Sequence, residues 1–158
     1  MHLEKKRLKL VDKNLIIELL NNPIVQRHMP LSSQGFDEKQ YNTFIASKED
    51  IWEKHGFGPW AYFIDGNFAG WGGIQPDEEN FELALVLSPA YWGYGKKIYK
   101  DMIEEAFHKL NLDSVTILFP PSRTRIKGIL KAGFVEEDKV NINGENFIRF
   151  RHMNPNLS

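Results

Sequence analysis

Cysteine is absent from this chain of 158 residues. That excludes disulfides, thiolate metal ligands and covalent chemistry through a protein thiol, so any acyl chemistry has to avoid a cysteine intermediate. An excess of one charge is missing too: 20 basic residues face 21 acidic ones, for a net charge of -1. A general binder of nucleic acid or of membrane surfaces is usually more basic, and neither partner is expected. Long apolar runs are lacking. Met1 to Leu10 alternates charge with leucine and offers no signal-peptide core, and no stretch reaches the ~20 residues of a membrane span, so the cytoplasm is the expected location. The histidines, at 2, 28, 55, 108 and 152, show no metal-ligand spacing, and no metal is expected. No repeat or low-complexity linker divides the sequence. One domain over residues 1–153 with a flexible tail over residues 154–158 is the expectation.

What is present reads as alternating strands and helices. Arg7 to Val11 suggests a first strand, and Asp12 stands at an N-cap before Leu15, Ile16, Leu19 and Leu20, a helix that Asn22-Pro23 ends. A further helix is expected from Asp37 to about Lys54, with Tyr41, Phe44, Ile45 and Trp52 inward. Trp60 to Ile64 and Phe68 to Ile74 form a hairpin around Asp65-Gly66-Asn67, and Phe81 to Leu87 is a third strand. Ile98, Met102, Ile103, Ala106, Phe107 and Leu110 share one face of a strong amphipathic helix. Val115 to Phe119 then makes a parallel strand-helix-strand unit with Phe81 to Leu87. A second helix from about Arg123 to Ala132 stops at Gly133, and a last hairpin turns at Asn143-Gly144. The fold class is α/β (α+β): a mixed, mostly antiparallel sheet with a central parallel strand-helix-strand unit and helices on both faces.

The stretch "SPAYWGYGKKIYKDMIEE", Ser88 to Glu105, carries the chemistry. A helix start exposes unpaired N–H groups and about half a positive charge, and glycine lets a ligand approach the backbone there. Gly93 and Gly95 fall at that start, and Lys96 and Lys97 add cations to the first turn, where they oppose the helix dipole unless an anion answers them. Local pattern alone leaves two readings open, a tight strand-to-helix turn and an anion cradle. Rossmann and P-loop spacings both fail.

The run "ELALVLSPAYWGYGKK" from Glu82 to Lys97, "LKAGF" from Leu130 to Phe134, and the order of "RLKLV", "NNPIVQRHMP" and "FGPWAYFIDGNFAGWGGI" resemble the GNAT acetyltransferase superfamily, in its ribosomal-protein-alanine-acetyltransferase-like branch. The resemblance covers nearly the whole chain. It implies a single-domain GNAT-like fold and acetyl-CoA as donor. The pyrophosphate would lie on the loop Trp92, Gly93, Tyr94, Gly95, Lys96 and Lys97, and pantetheine against the main chain of Leu85, Val86 and Leu87. Lys97 stands where the family has Gly or Ala, and is expected to grip the anion. Ser122 replaces the family's Asn and is open to three roles: capping the second helix, contacting pantetheine, or protonating the leaving thiolate. Arg123 and Arg125, at the expected helix start, are assigned to the 3'-phosphate end of the coenzyme. Lys127 and Lys131 are read as a solvated face.

Acetyl transfer to an amine needs a neutral amine, a stabilised oxyanion and a protonated thiolate. At neutral pH about one N-terminal amine in ten is uncharged, against roughly one lysine in a few thousand, so a weak base suffices for the former. Glu82 matches the family's strand glutamate and is the candidate base. Its bland alternative is a solvated strand-edge carboxylate. The tyrosine that many members use as acid is Ile129 here, which leaves Ser122 and Tyr91 as candidates. The Leu87 N–H is a candidate oxyanion donor. His28 and Trp60 are the acceptor-site candidates. The resulting expectation is an acetyl-CoA-dependent N-acetyltransferase working by direct transfer in a ternary complex. The alternative is a CoA-binding module with weak or no catalysis. Neither the acceptor amine nor the oligomeric state is legible in the residues.

Overall fold

The computed structural model describes residues 1–27 and 35–157. Among the described residues seven strands form one mixed sheet in the order β1-β2-β3-β4-β5-β7-β6. They are β1 (Leu3–Arg7), β2 (Pro59–Ile64), β3 (Asn67–Asp77), β4 (Asn80–Leu87), β5 (Ser114–Phe119), β6 (Val135–Ile142) and β7 (Glu145–Met153). The helices are α1 (Lys13–Asn21), α2 (Pro23–Arg27), α3 (Glu38–His55), α4 (Gly95–Glu104) and α5 (Lys127–Ala132). The α/β class and the mostly antiparallel sheet agree with the sequence, and β4 with β5 is the parallel pair. The described residues group into two compact units, Met1–Gln75 with Ala84–Gly95, and Pro76–Leu83 with Lys96–Ser158.

In the first unit the opening strand lies earlier than Arg7 to Val11. β1 ends at Arg7, and Leu8–Leu10 is a 3-10 turn that drops Leu8 into the core. The cause is side-chain periodicity: Leu3, Lys5 and Arg7 alternate with exposed Glu4 and Lys6, whereas Leu8 and Val11 must both be buried. Asp12 caps α1 as expected, accepting from the Asn14 amide at 2.9 Å. Asn22 ends α1 and also starts α2, since its side chain accepts from the Ile24 and Val25 amides and Pro23 tolerates a first-turn position. A capping box between Asp37 and Gln40 opens α3, and left-handed Gly56 closes it. Leu8, Val11, Ile16, Leu19, Leu20, Val25, Tyr41, Ala61 and Trp71 make this unit's core.

The second unit is built around α4, β5, β6 and β7. Ile98 and Met102 are fully buried on α4, and the helix widens into a π-turn over Glu105–Lys109 that carries buried Ala106 and Phe107. Helix α5 is shorter than expected. It begins at Lys127, with Ile126 at its N-cap, so Arg123 and Arg125 lie on the non-helical segment before it. The preceding turn explains this, because the Arg123 amide bonds back to the Pro120 carbonyl at 3.0 Å and the Ile126 amide to the Thr124 carbonyl at 3.1 Å. Gly133 stops α5 at φ 114, where an added Cβ would lie 2.7 Å from His152 Cε1. The expected free tail is tied down at its first residue: Asn154 is buried, its amide donates to Asp113 and its side chain to Leu112. Among the described residues no helix is long and apolar enough to cross a membrane.

Candidate active site

Strand β4 leads straight into the segment that the sequence singled out. The Ser88 amide donates to the Ala69 carbonyl at 2.8 Å, which holds the end of β4 against β3. Pro89 opens a 3-10 helix over Pro89–Tyr94 that runs directly into α4 at Gly95. The segment is therefore more tightly wound than an open loop. The Tyr91 amide bonds the Ser88 carbonyl at 2.8 Å, and the Gly95 amide is occupied by the Trp92 carbonyl. Trp92 Nε1 donates to the Leu87 carbonyl at 2.9 Å, although the indole is 45% exposed. Of the Leu85, Val86 and Leu87 main-chain groups assigned to pantetheine, the Leu87 carbonyl thus already has an internal donor.

The segment still fits a diphosphate. A Cβ built on Gly93 meets nothing within 4 Å, and one on Gly95 meets only the side chains of Leu87 and Leu85, at 3.8 and 4.0 Å. Lys96 and Lys97 are exposed and form no ion pair among the described residues. Two unanswered cations in the first turn of a helix are unfavourable by themselves and favourable beside an anion. Tyr91 and Tyr94 stand on the same segment with ring centroids 6.2 Å apart.

The second unit holds the other candidates. Glu82 is half-buried on β4 and registered opposite Thr116 of β5. Arg123 lies with its guanidinium carbon 3.9 Å from the Phe119 ring centroid. Arg123 also hydrogen-bonds Tyr99, a residue the sequence reading passed over. Burial holds the Tyr99 hydroxyl above the usual phenol range. The Arg123 charge pulls the other way, and the Glu82 charge adds to the rise. Tyr99 sits within the helix that follows the lysines, where one more aromatic reads as core. Its link to Arg123 is a tertiary contact with no local signal.

Ser122 cannot cap the second helix, because it is an exposed turn residue four positions before the N-cap Ile126. Arg125 is exposed on the segment between that turn and α5, and Ile129 is buried. Trp60, in the first unit, is registered opposite Arg7 and Gly72. Its ring meets Trp52 edge-on at 4.7 Å, with Lys5 Nζ 5.2 Å from its centroid. His28 lies outside the described residues. Among the described residues no three His, Asp or Glu side chains are grouped to hold a metal ion.

The family model described as an acetyltransferase (GNAT) domain matches residues 3–135. The chain belongs to the GNAT acetyltransferase family. The match is to an acetyltransferase domain. The fold agrees with solved GNAT structures. A Bacillus anthracis acetyltransferase of the GNAT family aligns at TM-score 0.77 and 14% identity, over 98% of this chain and 96% of that one. A spermidine N-acetyltransferase from Vibrio cholerae, solved with CoA and spermine, aligns at TM-score 0.73 and 16% identity, over 96% and 95%. Among curated proteins, FsC-acetyl coenzyme A-N(2)-transacetylase of Aspergillus fumigatus is 33% identical over a 72-residue alignment that covers 38% of this chain and 31% of that protein. The match spans less than a third of that relative's length.

Proposed function

We propose that this chain moves an acetyl group from acetyl-CoA to a primary amine by direct transfer in a ternary complex, with residues 1–153 as the catalytic domain. The observation that carries the reading is the Pro89–Lys97 segment. In a chain of this family, the open space above Gly93 and the unanswered Lys96 and Lys97 suit the coenzyme's diphosphate. Bound acetyl-CoA supplies a thioester carbonyl open to attack by an amine. Trp92, Gly93, Tyr94, Gly95, Lys96 and Lys97 hold the diphosphate, and Leu85, Val86 and Leu87 offer main-chain groups to the pantetheine arm, with the Leu87 N–H facing the developing oxyanion. Arg123 and Arg125 take the 3'-phosphate end.

Glu82 removes the amine's proton, directly or through water. Tyr91 or Ser122 returns a proton to the leaving thiolate, in place of the tyrosine that Ile129 replaces. Trp60 and His28 are assigned to the acceptor side. The proposed acceptor is a peptide N-terminus, as in the ribosomal-protein-alanine-like branch, since its low amine pKa suits a single carboxylate base. The partners proposed are this donor and acceptor, not nucleic acid or a membrane, and the location proposed is cytoplasmic.

A coenzyme-binding module with weak catalysis is the second reading. It is favoured by Ile129, buried where a proton donor is expected, and by the internally bonded Gly95 amide. One experiment separates the two. Acetyl-CoA and CoA, but neither ATP nor NAD, should raise the melting temperature under both readings. Thiol release on adding peptide, polyamine or amino-acid amines should occur for the enzyme alone. A chain stabilised by acetyl-CoA that releases no thiol with any acceptor overturns the enzyme reading, and indifference to acetyl-CoA overturns both.

A further inference from the structure

Helix α4 carries Lys96, Tyr99 and Lys100 at i, i+3 and i+4, so these side chains are neighbours on one flank of the helix. Asp101 and Glu104 fall with Lys97 on the next flank, and Ile98 and Met102 face the core. Arg123 reaches the Tyr99 flank from the segment after β5. Its guanidinium carbon lies 3.9 Å from the Phe119 ring centroid, and the guanidinium donates to the Tyr99 hydroxyl. Lys96, Tyr99, Lys100, Phe119 and Arg123 all belong to the second unit.

An exposed arginine is ordinarily free to sample many rotamers, and fixing it costs entropy. Here the Phe119 ring fixes one side of the guanidinium and the Tyr99 phenol fixes one edge, which leaves the other donors of a five-donor fork open to solvent. No carboxylate answers this group. Lys96, Lys100 and Arg123 are exposed and form no ion pair among the described residues. Cations gathered without a counter-ion repel one another, and a highly charged anion relieves that repulsion. A phenylalanine at position 99 would present the same ring and offer the guanidinium no acceptor.

We propose that Tyr99 is a positioning residue that holds Arg123 beside Lys96 and Lys100 as a seat for the coenzyme's 3'-phosphate, and that this seat makes the chain discriminate acetyl-CoA from acetyl-dephospho-CoA. The proposal rests on the reading of the Pro89–Lys97 segment as the diphosphate site. A phosphate monoester carries a charge of about -1.5 to -2 at neutral pH, which suits a cluster of unanswered cations. Lys100 stands one helical turn, ~6 Å, beyond Lys96, and a ribose sets its 5'- and 3'-phosphates a comparable length apart. The guanidinium supplies two parallel N–H donors to the phosphate oxygens, and the lysines supply point charges. Arg125, exposed on the same segment with no side-chain partner among the described residues, adds charge but no fixed geometry.

The test is calorimetric titration of the full chain with acetyl-CoA and with acetyl-dephospho-CoA, which lacks only the 3'-phosphate. The wild type should bind acetyl-CoA at least about tenfold more tightly, and Arg123→Ala should bring the two affinities close together. Tyr99→Phe should weaken acetyl-CoA about threefold and leave acetyl-dephospho-CoA unchanged, a split that a merely structural role would not produce. Arg123→Lys should not restore the preference, because an ammonium lacks the planar fork. In turnover these variants should raise KM for acetyl-CoA and keep kcat, since the 3'-phosphate stands at the far end of the coenzyme from the thioester. If Tyr99→Phe does not fold, Arg123→Ala and Lys100→Ala, both at exposed positions, decide the seat. Equal wild-type affinity for the two donors, with acetyl-CoA still turned over, overturns the seat and leaves the proposed function standing. A Tyr99→Phe loss shared by both donors, or none with either, overturns the role of Tyr99. Binding of neither donor overturns the seat and the proposed function together.

Discussion

The indole N–H of Trp92 donates to the main-chain carbonyl of Leu87 at 2.9 Å, so the residue that opens the glycine segment is tied to the last residue of β4. Trp92→Phe removes that donor and keeps an aromatic. The expected stability loss is about 1 kcal/mol, a melting-temperature fall of roughly 2–4 °C for a chain of this size. If the segment holds the diphosphate, KM for acetyl-CoA should rise several-fold with little change in KM for the amine. Initial-rate kinetics with each substrate varied in turn check this.

Lys96 and Lys97 are exposed cations at the amino end of α4. Replacing both by alanine should weaken acetyl-CoA binding about tenfold at low salt, and the gap should narrow as salt rises, because exposed charges are screened beyond a Debye length of ~8–10 Å. The free variant should be no less stable than the wild type, since the lysines oppose the helix dipole. Calorimetric titration at two salt concentrations reads both effects. Unchanged affinity would make the lysines a solvated turn.

The Arg151 hydrogen bond to Glu137 holds that carboxyl below its ordinary value of 4.5. A lowered folded-state pKa means the unfolded chain binds the proton first as pH falls. The stabilisation is complete above pH 4.5 and disappears as pH drops through the lower folded-state value. The wild type should therefore lose melting temperature below pH 4.5 more steeply than Glu137→Gln does. Melting curves between pH 6 and about 3 test this, with parallel curves as the contrary result.

His152 lies between the rings of Phe107 and Phe134, with centroids 5.1 and 5.2 Å away. Burial holds its pKa below the ordinary 6.5, against a smaller opposing backbone contact at Met153. The unfolded chain then takes up the proton first. Stability should be flat above pH 6.5 and fall between 6.5 and the lower folded-state value. His152→Phe should remove that slope. A slope that persists in the variant assigns it to another group.

Several elements were legible because their signals are local. The helix start at Asp37, the stop at Gly133 and the turns at Asp65-Gly66 and Asn143-Gly144 each depend on residues a few positions apart, and each appears where the sequence placed it. The first strand was misplaced by a few residues. Arg7 to Val11 has strand-like composition, but burying both Leu8 and Val11 required a turn. Helix α5 was overestimated because the backbond from Arg123 to Pro120 unwinds its expected first turn. Ser122 lost its capping role for the same reason.

By itself the sequence determined the α/β class, the strand-helix-strand unit and the segment where two glycines and two lysines meet a helix start. Periodicity, turn chemistry and charge are carried by neighbouring residues, so no packing is needed to read them. Only the tertiary structure decided that Tyr99 meets Arg123 and that Glu82, Thr116 and Arg151 form one row. These pairings depend on strand register and on which faces are buried together. Both are settled by the collapse of a whole core, which no short window of residues encodes.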